Sequence, residues 1–155
     1  MKFSTREDIE APIDFVFVRV TDFVGYERSA LRRGADVKRL DAAAKVGTGA
    51  MWAVQFTFRG KPRNVRAVIS SYEAPHGFSV DATSPSINGV TEIELVPLSR
   101  SRTRVSVTLE LKPKTLSARL LVQSLKLAKS NLTTRFKTRV SVFAEDIEES
   151  FRKRG

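Results

Sequence analysis

Few side chains in this 155-residue chain are of the kinds that make or break bonds, and their spacing limits what they can do. There is no Cys, so thiolate nucleophiles, disulfides and Cys-ligated metals are excluded. His76 is the single His, which rules out multi-His metal sites. Between Pro75 and Gly77 it occupies a turn and reads as an exposed side chain rather than a base. Glu92 and Glu94 fall two apart and share one strand face. Because they alternate with Ile93 and Leu95, that face is the wet one, and acid–base work by the pair is only weakly suggested. Gly47-Thr48-Gly49 has neither the spacing nor the following Lys of a phosphate loop. Gln55, Tyr72, Asn88 and Lys129 remain as polar groups that could converge in an apolar interior, and nothing in their spacing joins them. The expectation is no catalytic set, no metal and no cofactor.

Lys129 is the sharpest anomaly. At about 100° per residue it falls inside an apolar helical stripe, beside Leu125, Leu132 and Phe136. Its ammonium either points into a pocket, to pair with a ligand carboxylate or phosphate, or snorkels to water while its stem packs. Arg135 and Arg139 at the stripe's edge pose the same question more weakly. They belong to a wider asymmetry. Between Ser99 and Val140 lie eleven basic residues and one acid, Glu110, so this segment alone carries the net charge of +10. Such a segment is either a solvated surface or a patch that attracts nucleic acid, an anionic membrane surface or an acidic partner.

The elements that position these groups are legible from periodicity. From Ser117 to Arg152 there is no Gly or Pro, and Leu121, Leu125, Ala128, Leu132, Phe136, Val140, Phe143, Ile147 and Phe151 recur in steps of three or four. That is one helical face. Unbroken, the helix would run roughly 54 Å, across a domain whose radius of gyration is only ~15 Å. Ser117 is read as its cap. Ser130-Asn131 and Thr133-Thr134 are mediocre helix formers, and Thr hydroxyls can bond back to carbonyls, so a bend is expected near Asn131. Something concave must receive the stripe.

The remainder supplies strands. Lys2–Glu10 reads as a first strand, followed by Pro12 at a helix start and two short helices over 13–21 and 22–33, with Asp22 as a cap and Gly34 as a stop. Period-two runs follow at 35–41, 51–58, 63–72, 78–83, 90–96 and 105–111. Their clean alternation predicts an antiparallel meander with one wet and one dry face. The fold class is thus α+β: a curved antiparallel sheet of about seven strands, two short helices after the first, and a long C-terminal helix, in one domain over 1–155. The charged first ten residues lack an apolar signal segment, and no apolar run approaches the ~20 residues of a membrane span. A cytoplasmic domain is expected.

Ile9-Glu10-Ala11-Pro12, the helical Phe17–Asp22, the Val46-Gly47-Thr48-Gly49 turn before Trp52 and the long closing helix together resemble the SRPBCC superfamily, the START-like, polyketide-cyclase and pollen-allergen helix-grip group. The resemblance spans essentially the whole chain. It implies a sheet bent around the last helix with an apolar cavity between them, binding lipids, sterols, quinones or polyketides, in a minority of members catalysing cyclisation or dehydration, and in some acting through protein partners. Where many bacterial members carry a Trp after a Tyr-Pro in the second helix, this chain has Tyr26-Glu27-Arg28-Ser29, so the cavity mouth is expected to be built differently.

A curved sheet cannot touch a straight helix along its whole length, so a space opens unless side chains fill it. Its expected ligand contacts are Trp52, Phe56, Phe58, Val65, Ile69, Phe78, Val80, Ile93, Leu95, Val107 and Leu109 from strands, and Leu121, Leu125, Lys129, Leu132 and Phe136 from the helix. Burying ~300 Å² of apolar ligand there is worth roughly 7 kcal/mol before association costs, enough for micromolar binding. The leading expectation is binding or transport of a hydrophobic or amphipathic small molecule. Its rivals are a cyclase or dehydratase using the same cavity, and a module binding RNA, a ribosome or a protein through residues 99–140.

Overall fold

The computed structural model describes residues 1–41 and 45–154. The element order is β1 (Lys2–Ile9), α1 (Ile13–Val20), α2 (Phe23–Arg32), β2 (Asp36–Arg39), β3 (Met51–Phe58), β4 (Lys61–Glu73), β5 (Gly77–Thr83), β6 (Ile87–Ser99), β7 (Arg102–Pro113), α3 (Leu116–Leu127) and α4 (Lys129–Arg154). The strands form one antiparallel sheet in the order β1-β7-β6-β5-β4-β3-β2. Thus β2 to β7 run as a meander, and β1 closes onto the last strand with Lys2 opposite Glu110 and Ile9 opposite Thr103. Register shifts at Ile69/Ser71 and Pro97/Ser99 mark irregularities of the kind that bend a sheet. Gly77 is required where it stands: its φ is +146°, and a Cβ there would overlap the Ile93 carbonyl oxygen of the neighbouring strand.

Paired residues share a face. The set Phe3, Leu109, Val107, Ile93 and Phe78 therefore lies on one side, as do Ile69 with Val80 and Trp52 with Ala67. This is the side that meets the C-terminal helix, since the Phe3 ring lies 5.9 Å from that of Phe136. The fully buried core sits at one end of this inner face. It gathers Ile9, Val16, Phe17, Val20 and Phe23 with Trp52, Ile69, Phe78, Leu95 and Val105, and Ala144 and Ile147 close it from α4. Burial explains how α1 holds despite its β-branched and aromatic content, which is poor for helicity. One buried polar side chain joins that core: the Thr103 hydroxyl donates to the Ala11 carbonyl at 2.8 Å, tying β7 to the turn before α1.

The single long helix of the sequence reading is two. Ala128 turns out of helical geometry at φ −104° and ψ 15°, and α4 restarts at Lys129. The tightening is local: the Ala128 N–H bonds the Leu125 carbonyl at 3.0 Å, an i−3 contact, while Leu132 N–H still reaches Ala128 at 3.0 Å. The expected Thr back-bond is present, from Thr134 Oγ1 to the Ser130 carbonyl at 3.0 Å. The break nevertheless falls three residues before Asn131. The N-cap is Thr115, whose Oγ1 accepts from Ala118 N–H at 3.2 Å, in place of Ser117.

The basic segment also divides. Arg104 forms a two-point contact with Asp8 at 2.8 and 3.3 Å, and Arg102 bridges Asp8 at 3.4 Å and Glu10 at 3.2 Å, so these two cations lace β7 to β1. The Arg104 guanidinium holds the Asp8 carboxyl below its ordinary range. Arg39 does the same to Asp41, whose carboxylate also accepts the Met51 N–H at 3.0 Å. A carboxyl depressed in the folded state stabilises the fold above its unfolded pKa, and that contribution is lost as pH falls. Thermal midpoints should therefore decline as pH drops through about 4 and below. Asp8→Asn should blunt the decline in a calorimetric pH series.

Candidate functional site

The inner face has a filled end and an open end. Trp52, Ile69, Phe78 and Leu95, four of the expected ligand contacts, are buried in the core and form the closed floor. Val80, Ile93 and Val107 are half-buried and pack against that floor. Phe56, Val65 and Leu109 also face inward, but they lie outside the core and remain half-exposed, and Phe58 keeps 40% of its surface. Opposite them, Leu121 and Leu125 on α3 and Leu132 and Phe136 on α4 are likewise half-buried. Half-exposed apolar side chains thus lie both on the inner face of the sheet and on the C-terminal helices. Lys129, at the first position of α4, is exposed.

The floor is built around Trp52. Its ring stacks on Phe23 at 5.3 Å, and Phe23 meets Phe78 edge-on at 5.2 Å. Arg39 lies over the Trp52 ring at 5.6 Å, fixed by two bonds to Asp41 at 2.9 and 2.8 Å. The Trp52 Nε1–H donates to Glu27 at 2.7 Å. One residue earlier, the Tyr26 hydroxyl donates to the Val20 carbonyl at 2.6 Å, and burial raises that phenol's pKa. The departure at Tyr26-Glu27 therefore has a structural use: both side chains tie α2 to what lies beneath it. Periodicity cannot reveal the Glu27–Trp52 contact, which spans 25 residues of sequence.

The polar groups considered for catalysis do not converge. Gln55 pairs with Asp36 and Asn64 in rows that the register turns away from Trp52, and it is exposed. Asn88, opposite Lys112, lies on that same outer side. Tyr72 faces inward but packs its ring on Phe17 at 5.5 Å. Glu92 and Glu94 are exposed on the outer face as expected, and His76 is exposed in its turn. Among the described residues no group of three His, Asp or Glu could hold a metal ion.

Arg63 is the inward cation that the sequence reading passed over. It pairs with Phe56 and so shares the inner face, and its guanidinium lies 5.9 Å from the Phe58 ring. Its Nε is buried and has no hydrogen-bond partner among the described residues. The signal was available, because Arg63 keeps the parity of Val65, Ala67 and Ile69.

A depression of about 720 Å³ is lined by residues of β2, β3 and β4 together with Leu31 of α2 and Lys114. Its walls include the cross-strand rows Lys38–Ala53–Arg66–Thr83 and Asp36–Gln55–Asn64, and of the expected ligand contacts only Val65 borders it.

Residues 1–148 match the model of a family described as polyketide cyclase/dehydrase and lipid transport. Among solved structures, the Zhui aromatase/cyclase from Streptomyces sp. R1128 superposes with a TM-score of 0.67 at 13% identity, covering 100% of this chain and 98% of that one. Truncated norcoclaurine synthase from Thalictrum flavum gives 0.65 at 13% identity, covering 97% and 92%. TTHA0849 from Thermus thermophilus gives 0.58 at 16% identity, covering 97% and 99%. At these identities the likeness is one of fold. No curated protein sequence matches the chain.

Proposed function

We propose, given that this chain belongs to the polyketide cyclase/dehydrase and lipid transport family of the helix-grip superfamily, that it binds a hydrophobic or amphipathic small molecule between the sheet and the C-terminal helices. The observation that supports the reading is half-exposed apolar surface on two elements: Phe56, Phe58, Val65 and Leu109 on the inner face of the sheet, and Leu121, Leu125 and Leu132 on the C-terminal helices. Water against such surface is the condition that an apolar ligand relieves. Trp52, Ile69, Phe78 and Leu95 serve as the floor that shapes the space and stay out of direct exchange with the ligand.

Arg63 takes the anchoring role first considered for Lys129. A guanidinium with a buried, unpaired Nε gains from a carboxylate or phosphate, so the preferred ligand is an acidic amphiphile such as a fatty acid or an acidic polyketide. Carriage is favoured over cyclisation because Gln55 and Asn88 face away from the space and Lys129 is exposed.

Trp52 is the only Trp in the chain and lies beneath the groove, so its fluorescence reports occupancy. Titration with a long-chain fatty acid should change the emission at micromolar concentration, and the matching alcohol should bind more weakly. Arg63→Gln should weaken the acid roughly tenfold, the value of about one charge-assisted hydrogen bond, and leave the alcohol unchanged. Equal affinity for acid and alcohol in the native protein would remove Arg63 from the account; no response to either would remove the groove.

A further inference from the structure

The break at Ala128 leaves α3 as a twelve-residue helix with two apolar faces. Ala118 and Val122 are buried, and Leu121 and Leu125 are half-buried. On the far side Leu116, Leu120 and Leu127 are 73%, 62% and 92% exposed. At about 100° per residue these three leucines fall within an arc of about 40°, opposite Ala118 and Leu125. Three exposed leucines in one row are not scattered surface residues; they form a stripe that water disfavours.

Cations flank this stripe. Arg119 and Lys126 lie about 80° to one side by the same rotation, with Lys129 just past the break. All three are exposed, and among the described residues none meets a carboxylate within salt-bridge distance. Between Glu110 and Glu145 the sequence contains eight Lys or Arg and no acid. The cations nearer the start of the basic segment differ: Arg102 and Arg104 are engaged by Asp8 and Glu10. Free positive charge is therefore concentrated on α3 and the helix that follows.

We infer that α3 is a docking helix for the surface of an anionic phospholipid bilayer, with Leu116, Leu120 and Leu127 entering the headgroup–acyl boundary and Arg119, Lys126 and Lys129 resting among the phosphates. Apolar side chains and cations on one exposed helix are what an interfacial helix uses. A nucleic acid would use the cations and leave the leucines in water, and an acidic protein would need an apolar row of its own to match. No helix among the described residues is long and apolar enough to cross a membrane, so α3 lies on the surface. This reading does not depend on a ligand binding beneath the helix, where Leu121 and Leu125 are half-buried. Docking would bring the groove's helical wall to the lipid surface.

Vesicle co-flotation of the full chain tests the inference. Vesicles of phosphatidylcholine with phosphatidylglycerol should carry the protein, and pure phosphatidylcholine vesicles should not. Arg119→Gln with Lys126→Gln should weaken binding about twenty-five-fold, roughly fivefold per cation, and added salt should mimic the effect. Leu120→Ser with Leu127→Ser should weaken it at least about tenfold, since the apolar contribution scales with the area inserted. Because these side chains are exposed, circular dichroism should find both variants folded. Failure to float on anionic vesicles, equal flotation on neutral ones, or native-like binding by the leucine variant would each overturn the proposal. Retention on RNA that only the charge variant loses, without flotation, would replace it with a nucleic-acid surface.

Discussion

Ile147→Ala should lower the unfolding free energy by about 2–5 kcal/mol, while Leu132→Ala, on the same helix and the same stripe, should lower it by less than about 1.5 kcal/mol. The difference follows from where α4 lies on the sheet. Ile147 is 1% exposed and packs among the residues that close the core under α1 and the floor strands. Removing three carbons there leaves a cavity that its rigid neighbours cannot close. Leu132 is only half-buried, so one side already meets solvent. For a chain of this length the Ile147 change corresponds to a fall of roughly 5–15 °C in thermal midpoint. Calorimetry on both variants checks it. Equal losses would mean that the helix is packed uniformly along its length and that no open end exists.

Phe56→Asp and Leu125→Asp, made separately, should each reduce fatty-acid affinity by at least about tenfold: at 125 an unpaired carboxylate must be desolvated when a ligand enters, and at 56 the new carboxylate stands opposite Arg63, where it engages the guanidinium in the ligand's place. Both variants should fold. Phe56 and Leu125 are half-exposed and lie outside the cluster that holds the domain together, so each new charge can stay hydrated in the empty protein. One position is on a strand and the other on a helix, which makes their agreement informative. Loss at Phe56 with native affinity at Leu125 would place the ligand against the sheet alone. Trp52 emission reads both titrations, as it does for the native protein.

Strand faces were legible because alternation is a local signal. Val54 with Phe56, and Val107 with Leu109, declare a common side from their own spacing, and the pairing register agrees. The long apolar stripe was equally legible, but its interruption was not. Ala128 is the best of helix formers by propensity, and the i−3 bond that tightens the turn there reflects α3 packing on β7 while α4 lies chiefly on β1. Weak helix formers at 130–134 pointed to the right region and the wrong residue. The +10 charge was read correctly as a segment, yet its division was hidden: Arg104 finds Asp8 across 96 residues of sequence. Sorting the apolar residues of the candidate site into buried and half-exposed sets needed the three-dimensional neighbours of Trp52, above all Phe23 and Glu27, which no periodicity brings together. Arg63 could have been found by parity alone.

Native mass spectrometry of the protein as purified, compared with Phe56→Asp, puts the main claim to its most direct test. The account predicts a bound small molecule on the native chain, extractable into organic solvent, apolar in body and acidic at one end, and absent from the variant. A bare chain mass that stays bare after incubation with long-chain fatty acid would contradict it.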